Sequence, residues 1–180
     1  MKKTTILKMG QKNSHCSYCG HRFAEGQAWP RTCAACGATS FVNPLPVSVV
    51  LLPVDGGLLA VRRGIEPRKG QVALPGGYIN LGESWQEAGA REVWEETGVR
   101  IDPGEVEVFQ VRSAPDGTVL IFGLARERRG TDLPPFVPTE ETSERLVLTG
   151  PAEMAFPLHT EVVQAYFTGA VRFRTQGAAG

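Results

Sequence analysis

Glu92, Glu95 and Glu96 stand close together in the run Arg91-Glu92-Val93-Trp94-Glu95-Glu96-Thr97-Gly98. On a helix, Glu92 and Glu96 are i,i+4 neighbours and Glu95 flanks Glu92 at i,i+3, so the three carboxylates share one side. Like charges so placed repel by roughly a few tenths of a kcal/mol per pair, and Arg91 offsets only part of this. The pattern fits a hard divalent cation, since Mg²⁺ takes oxygen ligands and serves phosphate chemistry. A solvated acidic helix face is the plainer alternative. A second chemical cluster lies earlier. Cys16-Ser-Tyr-Cys19-Gly and Cys33-Ala-Ala-Cys36-Gly, thirteen residues apart, contain all four cysteines of the chain. Paired C-x-x-C units at this distance suit a tetrahedral Zn²⁺, and four protein ligands leave no open position for water, so the site is expected to be structural.

The elements that must hold these groups are readable. Ser84 with Glu87 three residues on is a capping box, so a helix is expected from Ser84, its N-cap, to Thr97. Gly98 takes the left-handed C-cap position. Ala90, Val93, Trp94 and Thr97 form the apolar face opposite the carboxylates. Before the helix, Pro75-Gly76-Gly77 and Gly82 mark a tight glycine-dependent loop. In the cysteine segment, Gly20 and Gly37 permit the knuckle turns in which backbone N–H groups point at sulfur. Tyr18, Phe23 and Trp29 are expected to form its small core, and His15 and His21 to stand beside a site already filled.

Asn43-Pro44-Leu45-Pro46 reads as a linker. It divides an N-terminal tail and ribbon at 1–42 from a larger domain at 43–169, with a tail at 170–180. Val47 to Val54 reads as a buried strand, turned by Asp55-Gly56-Gly57 into a returning strand from Leu58 to Arg63. Arg62 and Arg63 end that strand, within reach of a substrate phosphate. Val72 to Leu74 is a short strand. Val106 to Ser113 and Thr118 to Ala125 flank the Pro115-Asp116-Gly117 turn. Arg126 to Pro138 is polar and proline-rich, the composition of a long functional loop. Glu140, Glu141 and Glu144 follow it, Leu146 to Leu148 forms an edge strand, and Leu158 to Phe167 closes the domain as an amphipathic helix. Strands alternating with two helices predict an α/β fold with a mixed sheet between helices.

Composition narrows the function. The chain has 180 residues, 42% of them apolar, enough for one ordinary domain and a small appendage. No apolar run spans a membrane and the N-terminus lacks an apolar signal region, so a cytoplasmic protein with no membrane partner is expected. Residues 1–40 hold six Lys and Arg against Glu25 alone, leaving the remainder at −5. A basic segment is compatible with nucleic acid, but four thiolates on Zn²⁺ carry −2 and call for nearby cations, so nucleic acid is disfavoured as a partner.

The full spacing is more specific than its parts. Gly77, five residues, Glu83, seven residues, Arg91-Glu92-Val93, one residue, Glu95-Glu96, one residue and Gly98-Val99 resembles the signature of the Nudix hydrolases at every fixed position. The resemblance implies a three-layer αβα sandwich, preceded here by a zinc ribbon, and a Mg²⁺- or Mn²⁺-dependent attack of water on the diphosphate bond of a nucleoside diphosphate derivative. It implies Glu92 and Glu96 as the main metal ligands, helped by Glu95, with the Gly76 carbonyl as a further ligand. Arg91 then orients the cluster and Glu83 lies near the metals. The general base is Glu95 within the signature, or Glu141 or Glu144 on the later loop. A ribbon joined to such a domain resembles the bacterial NADH pyrophosphatases, but their Ser-Gln-Pro-Trp-Pro-Phe-Pro motif is absent. Pro115, sixteen residues past the signature, is a trait of ADP-ribose pyrophosphatases. Ala155-Phe156 resembles a pair found in FAD and ADP-ribose hydrolases. The expected substrate is therefore a small nucleotide, with ADP-ribose first and NADH or FAD next, cleaved to release AMP. An RNA-cap-directed protein using the basic ribbon is the alternative. The ribbon's own use stays open between packing on the larger domain and building a homodimer.

Overall fold

The computed structural model describes residues 11–169. The expected tail at 170–180 and the basic residues Lys2, Lys3 and Lys8 lie outside the described residues. The chain divides between Pro44 and Leu45 into two compact units, each described by itself.

In the first unit, β1 (Arg31–Thr32) and β2 (Thr39–Ser40) pair antiparallel. Each C-x-x-C closes a tight turn: the N–H of Gly20 donates to the carbonyl of Cys16, and that of Gly37 to Cys33, both at 2.9 Å. These glycines sit at φ 75° and 73°, a conformation that disfavours any side chain. Phe23 is buried with Cys16 and Cys33 and meets Trp29 edge-on at 5.8 Å. Tyr18 is not part of this core, being 72% exposed, and Trp29, 36% exposed, only borders it. Tyr18 lies between Cys16 and Cys19, whose sulfurs face the other two cysteines, and its own side chain turns to solvent.

The second unit runs β3 (Leu45–Leu51), β4 (Pro53–Val54), β5 (Gly57–Arg63), β6 (Val72–Ala73), β7 (Gly76–Tyr78), α1 (Trp85–Thr97), β8 (Glu107–Ser113), β9 (Thr118–Leu124), β10 (Thr142–Leu148) and α2 (Pro157–Thr168). One sheet has the order β7-β3-β9-β8, with β3 and β9 parallel and its other pairs antiparallel. The second has the order β10-β5-β4, with β6 also paired to β5. Alternation along the chain at β3 explains the layers. Val49 and Leu51 pack with Phe122 and with Val162 and Val163 of α2. Val50 and Leu52 pack with Ala90 and Val93 of α1. A strand covered on both faces needs no polar side, which is why this run reads as continuously apolar. Each such side chain contributes about 1.5–3 kcal/mol by burial. The fold is a mixed α/β sandwich with α1 and α2 on opposite faces. No helix among the described residues is long and apolar enough to cross a membrane.

Three expectations change. The strand expected from Val47 to Val54 breaks after Leu51, and Pro53–Val54 joins the other sheet. Both halves are buried, so hydropathy carries no trace of the break. Gly76 and Gly77 form an edge strand rather than a loop. The last strand starts at Thr142, well before Leu146.

Helix α1 has its expected ends. Ser84 and Glu87 make both bonds of the capping box, and Gly98 caps the C-terminus at φ 76°. Its contact with the sheet is unusually close at Gly89. A Cβ there would come within 2.8 Å of Ser48 Oγ and of Val50 Cγ2. Alanine is intrinsically the better helix residue by about 1 kcal/mol, but overpacking costs about 1–3 kcal/mol. The Gly89→Ala variant is therefore expected to unfold at lower urea concentration than the parent, and an unchanged or higher midpoint would show that the helix has room to move.

Candidate functional site

Strand β7 and α1 bring the signature residues together, and one guanidinium links them. Arg91 Nε donates to Glu83 Oε1 at 2.7 Å and Nη2 to Glu83 Oε2 at 3.1 Å, a two-point grip on one carboxylate. Nη1 donates to Glu92 Oε1 at 2.6 Å and to Glu95 Oε2 at 3.1 Å. Nη2 also donates to the carbonyl of Tyr78 at 3.0 Å. These contacts use the full donor set of an arginine. The Arg91 grip and the Asn80 N–H hold Glu83 down to about 2.

Glycine lets the sheet approach these acids. A Cβ on Gly77 would collide with the Glu92 carboxylate, and one on Gly76 would lie 2.5 Å from the Ser48 carbonyl oxygen. Neither glycine has a positive φ, so both serve close approach rather than turning. The N–H of Gly76 donates to Glu96 Oε2 at 3.1 Å. Burial, with the charges of Glu92 and Glu141 added, raises Glu96 to about 8 against the opposing Gly76 N–H and Arg63. Burial also raises Glu92, whose side chain is 13% exposed, with Glu95 and Glu141 adding to the rise and Arg91 opposing it. Glu83, Glu92, Glu95, Glu96 and Glu141 thus face only Arg91 and the more distant Arg63. This excess of negative charge suits a cation with oxygen ligands. The carboxylates do not converge on one point, however. Among the described residues, the group of three or more ligating side chains whose atoms lie within 4.8 Å of one another is the four cysteines.

The remaining expected residues separate. Glu144 pairs with Arg62 at 2.6 Å, and Arg62 Nη1 also donates to the Gly70 carbonyl. Arg63 lies over the Phe156 ring at 5.2 Å and donates to the Pro67 carbonyl at 2.8 Å. The backbone carbonyl of Glu141 accepts from the Gly64 N–H at 2.7 Å, which fixes the loop end from which its charge reaches Glu92 and Glu96. Trp94 is not core; it is 44% exposed, with Arg100 4.6 Å from its ring centroid. Sequence reasoning missed Arg145. Its Nη1 donates to the Thr97 carbonyl at 2.8 Å and its Nη2 to the Pro134 carbonyl at 2.7 Å. A lone arginine in a strand carries no signal for such a clamp.

In the first unit, the sulfurs of Cys16 and Cys36 are 3.8 Å apart and those of Cys19 and Cys33 3.6 Å. A tetrahedron with bonds of about 2.3 Å has edges of about 3.8 Å. N–H groups of Cys19 and Tyr18 hold Cys16 down to about 6, and that of Cys36 holds Cys33 down. The His21 N–H works the same way on Cys19, but the other thiols and burial raise it to about 12. Four sulfurs this close could all be thiolates only with a cation among them. His15 and His21 stand outside the cluster.

Comparison with known proteins agrees with this geometry. Residues 42–166 match the NUDIX domain. The NAD-capped RNA hydrolase NudC of Edwardsiella ictaluri (strain 93-146) is 32% identical over 97 residues, 53% of this chain and 37% of that protein. The chain thus spans well under half the length of that relative. A MutT-like protein of Streptomyces ambofaciens is 32% identical over 111 residues, 58% of this chain and 70% of that protein. The crystal structure of a NUDIX hydrolase from Nitrosomonas europaea shares the fold at a TM-score of 0.70 and 24% identity, covering 86% of this chain and 90% of that one.

The Arg91–Glu83 grip makes a pH prediction. Glu83 is depressed in the folded state, so its stabilisation is complete above the ordinary value of 4.5 and is lost as pH falls toward about 2. Parent protein is expected to resist urea better than Glu83→Gln at pH 7, with the gap closing between pH 4.5 and about 2. A gap that does not vary with pH would contradict this.

Proposed function

The chain belongs to the Nudix hydrolase family, and on that footing we propose that it splits the diphosphate bond of ADP-containing substrates, ADP-ribose before NADH or FAD. Water is consumed, and ADP-ribose yields AMP and ribose 5-phosphate. The observation that carries the proposal is the acidic cluster of α1, tied to β7 through Arg91, closed in by Gly76 and Gly77, and left with more negative charge than its two cations balance. Nothing in that charge pattern suits an anionic substrate without a divalent cation between them.

Glu92 and Glu96 are the residues that would hold Mg²⁺ or Mn²⁺, with Glu95 beside them. The Gly76 carbonyl joins them because its N–H already faces Glu96, and an extended strand turns both groups of one residue to the same edge. Bound there, the metal would neutralise the diphosphate and acidify a water. Arg91 fixes the rotamers of three of the acids, so they need not reorganise when substrate arrives. Arg63, which forms no ion pair among the described residues, is the better placed of the two arginines for a phosphate; Arg62 is engaged by Glu144. The same pairing argues against Glu144 as the base. Glu95 is held by Arg91, which makes it a poorer proton acceptor. Glu141, whose charge bears on both Glu92 and Glu96, is the base this reading favours.

A second reading, a capped RNA 5′ end as substrate, draws on the NudC relative alone. One assay series separates the two. With Mg²⁺, purified enzyme is expected to release AMP from ADP-ribose faster than from NADH, FAD or capped RNA. Glu96→Gln should lower turnover at least a hundredfold while circular dichroism stays unchanged, and Glu141→Gln should remove the proton-acceptor limb of the pH–rate profile. Ready hydrolysis of a nucleoside triphosphate with no AMP from any of these would overturn the reading.

In the first unit the same footing assigns Zn²⁺ to Cys16, Cys19, Cys33 and Cys36, in a structural role. Elemental analysis is expected to find one zinc per chain, lost in Cys16→Ser together with ordered structure of the ribbon. A purified protein without zinc would refute the assignment.

A further inference from the structure

Beside the acidic cluster lies a groove of about 390 Å³ lined by Trp94, Glu95, Gly98, Pro135, Val137 and Thr139. We propose that this groove receives the adenine ring of the substrate whose diphosphate lies at Glu92 and Glu96, an inference that rests on the reading above. Its volume falls within the range of small-molecule pockets, about 300–1,000 Å³. Its lining is mainly apolar, with Trp94 on one wall and Pro135 and Val137 on the other, and each wall adds one polar side chain, Glu95 and Thr139. Trp94 is 44% and Val137 73% exposed, an unusual expense of apolar surface next to charged side chains. Arg100 attends the Trp94 ring but does not line the groove.

The groove is built, not incidental. One wall is the C-terminal turn of α1 and the other is the loop before β10. Arg145 reaches from β10 to a carbonyl of each, Thr97 and Pro134, at 2.8 and 2.7 Å, and lies 5.6 Å from the Phe136 ring. It therefore fixes the separation of the walls. Gly98, at φ 76°, takes a backbone conformation that disfavours a side chain, so the floor of the groove stays bare there.

Position relative to the acids supports adenine as the occupant. At 100° per residue, Trp94 and Gly98 share one sector of α1, Glu95 the next, and Glu92 and Glu96 the one beyond. Across a helix about 10–12 Å wide, the first and last sectors are about 10 Å apart, the reach of a ribose between its base and its 5′-phosphate. The acceptors suit an exocyclic amino group. Glu95 Oε2 accepts from Arg91, while Oε1 has no protein partner among the described residues, and Thr139 adds a hydroxyl to the lining. Adenine is also the ring that all the proposed substrates share.

The test is Trp94→Ala, at an exposed position where the fold has little to lose, with Val137→Arg to obstruct the opposite wall. Both are expected to raise KM for ADP-ribose about tenfold, the scale of a lost base–aromatic stack, with the loss carried by KM rather than kcat. A direct reading uses AMP without metal, in the parent protein and both variants. AMP should quench tryptophan fluorescence saturably in the parent, the quench should vanish in Trp94→Ala, and ribose 5-phosphate should produce none. KM that rises for NADH and FAD but not for ADP-ribose would overturn the proposal in favour of the second ring. Unchanged KM for all substrates, or no AMP quench, would also overturn it. If the enzyme cleaves none of these substrates, the functional reading fails separately, and the AMP titration still decides the groove.

Discussion

The second unit depends on the Arg91 guanidinium more than on any other polar group. Its donors reach Glu83 in the segment before α1, Glu92 and Glu95 on α1, and the Tyr78 carbonyl on β7. A lysine would supply three donors from a single point and could not grip one carboxylate while holding two others. The guanidinium therefore does two physical jobs at once. It lowers the repulsion that three neighbouring carboxylates impose on a helix, and it registers that helix against the edge of the sheet. Glu96, beyond its donors, is held instead by the Gly76 N–H.

Close approach is the second requirement, and small residues supply it. Gly77 leaves room for the Glu92 carboxylate, and Gly89 lets α1 settle on Ser48 and Val50. One cost is visible beneath the helix: the buried hydroxyl of Ser48 has no hydrogen-bond partner among the described residues. An unsatisfied buried hydroxyl costs about 1–3 kcal/mol. A serine tolerated at that price has a small volume in its favour, since a larger apolar residue would lift α1 from the sheet.

Much of this was legible in the chain. The capping box at Ser84 and Glu87 and the cap at Gly98 fixed the ends of α1 because capping is local chemistry. The cysteine spacing and its glycines were legible for the same reason. What escaped was tertiary. The break between β3 and β4 leaves no mark, since both strands are buried and hydropathy reports burial rather than partnership. Trp94 falls on the apolar face of α1 by its helical angle, yet a stacked Arg100 and the open groove lie there rather than core. Tyr18 failed for want of scale: a ribbon this small has room for one aromatic under its sulfurs. Glu141 and Glu144 were equal as letters; the pairing of Arg62 with Glu144, and the charge of Glu141 on Glu92 and Glu96, separate them. Arg145 could not be singled out, because its importance lies in two backbone carbonyls that any residue could present.

The segment between β9 and β10 is anchored near both ends. Near its start, the Arg128 N–H donates to the Pro53 carbonyl and the Gly130 N–H to Asp55. Toward its end, Arg145 holds Pro134, and Thr139 and Thr142 bond to each other in both directions. Leu133 packs on the core that α1 shares and Phe136 meets Arg145, so exchanges at Pro135 and Val137 are the ones that leave those anchors and α1 untouched. Substitution there can therefore recut the surface beside the acidic cluster without disturbing its carboxylates. Under the proposed reading, base recognition and metal binding fall on separate stretches of chain, so the group recognised can change through two loop positions while the acidic cluster stays as it is.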